Sequence, residues 1–120
     1  MSKECTGFYL KDGKSMSDIY KLMINNTDGL VIITSGENDI IYGRKGQTMK
    51  QMKPFSVDVK STLGAGDTFK AGCIYGLLNN MSDDELVCFA SACSAIAISR
   101  FPLPLNPPTI DEVNSLINTI

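Results

Sequence analysis

Residues 61–72 read STLGAGDTFKAG, and here the residue types gather into a chemical pattern. Gly64, Ala65 and Gly66 carry almost no side chain, Asp67 follows at once, and the run then turns apolar with helical spacing. A helix N-terminus presents about four unpaired N–H groups and roughly half a positive charge. Small residues let an anion come close to that backbone. An anion held by amides 64–67 would sit beside the Asp67 carboxylate, a repulsive neighbour for simple binding. The pairing makes sense where Asp67 takes a proton from an incoming hydroxyl while the amides hold the phosphoryl group under attack. Phosphoryl transfer needs such a positioned base and electrostatic cradle. The plainer alternative is a glycine turn with Asp67 as a helix cap, a role aspartate favours. The residues alone leave both open.

Other chemistries are narrowed by what the chain lacks. It has 120 residues and no histidine, so Ser-His-Asp and Cys-His mechanisms are excluded. A general base must be a carboxylate, lysine, tyrosine or cysteine. Cys5, Cys73, Cys88 and Cys93 form no CxxC pair, and no metal site is predicted. They read as reduced, partly buried thiols. The GKS at 13–15 is not a Walker A loop, because Phe8 stands where that motif needs its first glycine. The dinucleotide fingerprint fails at Gly64-Ala65-Gly66, since Phe69 replaces the third glycine. The net charge of −2 gives no basic excess for nucleic acid or an anionic membrane surface. The longest apolar stretch, 86–98, is too short to span a bilayer. The first ten residues contain no apolar signal core, which predicts a cytoplasmic protein.

The elements that must position the glycine run follow from pattern. Residues 15–26 have helical spacing at Ile19, Leu22 and Met23. GLVIITSG, 29–36, reads as a buried strand, expected to be parallel. DIIYGRKGQ reads as a second strand, antiparallel to a third near 48–55. A helix is expected from about Gly66 to Leu78, ended by Asn79-Asn80. Ser82 and Glu85 predict a capping box opening an apolar helix to about Ser99, and Thr109 with Glu112 predicts a second, before a last helix. Residues 101–108, FPLPLNPP, must be an extended loop. The order fits a three-layer α/β architecture. The buried strand needs neighbours on both sides, so the chain looks like part of a larger sheet.

STLGAGDTFKAG closely resembles the second signature of the ribokinase/PfkB family of carbohydrate kinases, written D-T-x-G-A-G-D with a following aromatic residue and glycine. Thr62, Gly64, Ala65, Gly66, Asp67, Phe69 and Gly72 match. VIITSGENDIIY resembles the family's T-x-G-x-x-G segment, FASACSAIAISR its alanine-rich helix beside the adenine pocket, and PPTIDEV its closing P-T-x-x-E-V helix. The resemblance covers residues 25–117. It implies a ribokinase-like three-layer α/β/α fold, with residues 1–120 forming the C-terminal, nucleotide-binding portion and the N-terminal sugar-binding part absent.

The resemblance also implies an activity: ATP-dependent phosphoryl transfer, with Mg²⁺, to a hydroxyl of a sugar or sugar derivative. Asp67 would be the catalytic base. Gly64, Ala65 and Gly66 would form the anion hole, Thr34 and Gly36 would lie along the ATP phosphates, and Ser91 falls where the family often has an asparagine near the adenine. For Thr34 and Gly36 the alternative is a plain strand-ending turn, and for Ser91 a small residue packed inside a helix. Ser61 replaces the signature's first aspartate, a position whose surroundings bind a monovalent cation in many relatives, so K⁺ is left open. Asp39 stands where a glycine would close T-x-G-x-x-G. Glu4 is set beside the family's N-x-x-E region, with an exposed surface glutamate as the favoured alternative. The partners implied are ATP and a small carbohydrate, with self-association through sheet edges left open. The rival readings are a non-catalytic remnant that binds nucleotide or packs on a partner chain, and a relative that phosphorylates a nucleoside or vitamin-like alcohol.

Overall fold

The computed structural model describes residues 15–100 and 106–119. The Glu4 and Cys5 expectations and most of the 101–108 loop lie outside them. Backbone contacts divide the chain into two units, Met1–Lys53 and Pro54–Ile120.

In the first unit, helix α1 spans Met16–Ile24. Ser15 caps it: the Asp18 N–H donates to the Ser15 hydroxyl, and the Ser15 N–H donates back to the Asp18 carboxylate. The strands β1 (Val31–Ser35), β2 (Asn38–Gly43) and β3 (Lys50–Met52) form a meander in that order, both pairs antiparallel. β1 alternates in burial, with Val31, Ile33 and Ser35 inward. Ile19 and Ile33, both fully buried, join Tyr20, Val31 and Ile41 in one apolar cluster. The helix face is 16, 19, 20, 23 and 24, a strict i, i+3, i+4, i+7, i+8 stripe. Leu22 falls outside it and is exposed, contrary to the sequence expectation.

The expected parallel pairing of β1 is not formed among the described residues. Gly36 and Glu37 make a two-residue turn that returns the chain at once, whereas a parallel neighbour needs a long crossover. Positive φ at Gly36 (+57°) and not at Glu37 is the pattern of a II′ hairpin turn. β3 is also shorter than the predicted 48–55.

The second unit is helical: α2 (Ala65–Leu78), α3 (Asp83–Ile98) and α4 (Ile110–Ile117). α2 and α3 meet without side chains between them at Gly72, where an added Cβ would lie 2.7 Å from the Ala90 Cα. Gly76 is similarly closed in by Leu86. Tyr75 stacks on Phe89 with ring centroids 4.8 Å apart. Phe89, Ala92, Cys93, Ile96 and Val113 make the core of this unit. The opposite side of α2 exposes Ile74, Leu77 and Leu78. Of the two expected capping boxes, Thr109–Glu112 closes fully, while at Ser82 only the Glu85 N–H to Ser82 hydroxyl half is formed. Arg100 pairs with Glu112 and donates to Asn106 and to the Pro107 carbonyl, fixing the entry to α4. No helix among the described residues is long and apolar enough to cross a membrane.

Candidate functional site: a bare helix N-terminus beside an exposed aspartate

The glycine run becomes the entry to α2. The Leu63 N–H donates to the Ser61 hydroxyl, and the Ala65 N–H donates to the Thr62 carbonyl at 3.2 Å. Gly64 is the N-cap and sits in the left-handed region at φ +82°, a conformation that favours glycine. A usual N-cap is extended and supplies a side-chain oxygen; Gly64 has none to give. The Thr68 N–H and hydroxyl both close on the Gly64 carbonyl at 2.9 Å. Of the first amides, Ala65 is therefore engaged. Those of Gly64, Gly66 and Asp67 meet no acceptor among the described residues. A Cβ built on Gly66 would find nothing within 4 Å, so no protein atom demands a glycine there.

Asp67 is the third residue of α2, and the N-cap position is held by Gly64. Its carboxylate is exposed and makes no hydrogen bond or ion pair among the described residues. The site thus joins a free carboxylate to unpaired backbone donors within four residues of chain. α3 holds the turn from both sides. The Lys60 and Ser61 N–H groups donate to the Ile98 carbonyl, at 2.7 and 3.2 Å. The Ser94 hydroxyl donates to the Ala65 carbonyl at 3.2 Å. Ser94 was not singled out by the sequence; the only signal was its being one of two serines in the apolar stretch 86–98.

Thr34 and Gly36 belong to the first unit. Thr34 is half-buried on β1, where it alone faces two residues of β2, Asp39 and Ile40, a local bulge. Gly36 is exposed at the hairpin turn with open space around it. Ser91, in the second unit, is 4% exposed within α3, the environment of a small packed residue.

The described cysteines are free thiols. Burial, and then the neighbouring Cys73, push the Cys93 thiol up to about 11, which keeps it protonated and unreactive. Among the described residues no three His, Cys, Asp or Glu side chains gather into a metal site. A cleft of about 360 Å³ between Met81, Cys88 and Ile117 lies at the N-terminal end of α3, away from the glycine turn.

The profile of the pfkB family carbohydrate kinases matches residues 3–108. The chain belongs to this family. It is 33% identical over 89 residues to the 5-dehydro-2-deoxygluconokinase of Listeria monocytogenes, covering 73% of this chain and 27% of that protein. The crystal structure of a ribokinase from Thermotoga maritima superposes with a TM-score of 0.85 at 19% identity, covering 98% of this chain and 40% of that one. A ribokinase II candidate from E. coli, in complex with ATP and Mg²⁺, superposes with a TM-score of 0.79 at 18% identity over 89% of this chain and 34% of that one. The fold is therefore ribokinase-like. The chain spans 27% of the length of the Listeria kinase it matches.

Proposed function

We propose that these residues are the nucleotide-side portion of an ATP-dependent carbohydrate kinase that phosphorylates a hydroxyl of a sugar or sugar derivative. The observation that carries this reading is the bare N-terminus of α2 with the unpaired Asp67 carboxylate in its first turn. The family membership and the sugar-kinase names of the relatives support the reaction class, and the ATP complex of the E. coli structure supports the phosphoryl donor.

In the proposed reaction Asp67 accepts the proton of the substrate hydroxyl as its oxygen attacks the γ-phosphorus. The bond from that phosphorus to the β,γ-bridging oxygen breaks and ADP leaves. The amides of Gly64, Gly66 and Asp67 face the charge that spreads over the transferred group, worth most where water is excluded. Ala65 contributes mainly by its small size, since its own amide is engaged. Thr34 and Gly36 are carried as phosphate-side contacts, and Ser91 as part of the helix bordering the adenine. Mg²⁺, when bound, neutralises phosphate charge. The described residues gather no cage for it, and Mg²⁺ commonly keeps its waters and binds through substrate phosphates.

The test is Asp67→Asn in the full-length enzyme, followed by ADP release and by ATP titration. A base acts in the transition state and not in ground-state binding. Turnover is expected to fall about 10²–10⁴-fold with ATP affinity nearly unchanged. Turnover within a few-fold of wild type removes Asp67 from the mechanism. The 120-residue chain alone is expected to show no sugar-dependent ADP release.

A further inference from the structure

Ser94 reaches the glycine turn from 29 residues away, and its hydroxyl donates to the Ala65 carbonyl at 3.2 Å. That carbonyl and the Gly66 N–H belong to one planar trans peptide unit, so they point in opposite directions and turn together. Whatever fixes one fixes the other. Serine within a helix often bonds back to its own preceding turn. Ser94 spends its hydroxyl across to α2 instead.

Resting on the kinase reading above, we infer that Ser94 is a positioning residue for phosphoryl transfer: its hydroxyl fixes the Ala65–Gly66 peptide plane and so aims the Gly66 N–H at the transferred group. Two further observations bear on this. Nothing lies within 4 Å of a Cβ built on Gly66, so the Gly66 Cα faces open space where a ligand can approach. The Ile98 carbonyl, one helical turn beyond Ser94, receives the Lys60 and Ser61 N–H groups. One short stretch of α3 thus references the chain both as it enters the turn and as it leaves. A donor on the Ala65 carbonyl also polarises the peptide and strengthens the N–H at its other end.

The experiment is a titration of the ¹⁵N-labelled 120-residue chain with ATP and Mg²⁺, read at the amides of Gly64, Gly66 and Asp67. In the wild type all three are expected to shift. In Ser94→Ala the Gly66 response should shrink and the affinity fall about five- to tenfold, the worth of one hydrogen bond. Ser94→Thr, which keeps the donor, should restore both. An unchanged Gly66 response and affinity in Ser94→Ala overturns the role of Ser94 and leaves the kinase reading standing. A wild type whose 64, 66 and 67 amides ignore ATP overturns the reading of the turn itself, and the role of Ser94 with it. Should the alanine variant fail to fold, Ser94→Thr is compared with Ser94→Cys, a much weaker donor. Equal Gly66 responses in that pair overturn the inference.

Discussion

The helices α2 and α4 both carry an acid at their third residue, and the two acids live differently. In α4, Glu112 folds back on Thr109, accepting from its N–H at 3.1 Å and its hydroxyl at 2.9 Å, while pairing with Arg100. At the start of α1, Asp18 likewise accepts from the Ser15 N–H and closes a capping box. In α2 the N-cap is Gly64, with no hydroxyl and a left-handed backbone, and Asp67 has no such partner among the described residues. A carboxylate near a helix N-terminus gains from the dipole in both settings. What separates these two is the N-cap: the Thr109 hydroxyl and Glu112 close a box on each other, while Gly64 leaves both the acid and the amides facing outward. Position along a helix does not by itself assign a role.

The widest gap should open between the two acids themselves. Asp67→Asn is expected to cut turnover about 10²–10⁴-fold in the full-length enzyme, and Glu112→Gln to leave turnover near wild type while lowering Tm. Steady-state ADP release and a thermal melt on both variants decide it, and equal losses of turnover would erase the distinction. Next comes Gly64→Ala, which forces a Cβ into the left-handed region at φ +82°. It should cost about 1–2 kcal/mol of stability by denaturant titration. Thr109→Ala removes the cap of α4 and should cost about 1 kcal/mol, with no effect on ATP affinity. The smallest stability change is expected at Gly66→Ala, where the new methyl meets open space and helix propensity favours alanine by up to about 1 kcal/mol. That variant should melt no lower than wild type yet bind ATP more weakly. A Gly66→Ala protein with undiminished affinity would mean that nothing approaches that backbone.

The contrast between the helix ends was partly legible in the sequence. Thr109 and Glu112 announce their box by spacing alone, because both partners lie within one turn. Asp67 was legible as a carboxylate behind a glycine run, and the left-handed Gly64 is the kind of position glycine exists to fill. Ser94 was not legible, since its partner lies 29 residues away and is found only once α2 and α3 are paired. The same limit applies to β1: its apolar run marked a buried strand, but strand direction is a property of the neighbour. The short Gly36–Glu37 turn settled that pairing as antiparallel. Ser82 shows a third case, where a matching spacing yields only half a box because nothing in the sequence obliges Glu85 to turn back.

The crossing at Gly72 has a mechanical consequence. Two backbones in direct contact leave no compressible layer to absorb a displacement. Gly72 lies six residues along α2 from Gly66, about 9 Å at 1.5 Å per residue. A single added methyl at 72 would act as a wedge, and the tilt it imposes would be felt at the mouth of the helix. On the proposed kinase reading, defects in phosphate handling should therefore arise from positions that no substrate ever touches.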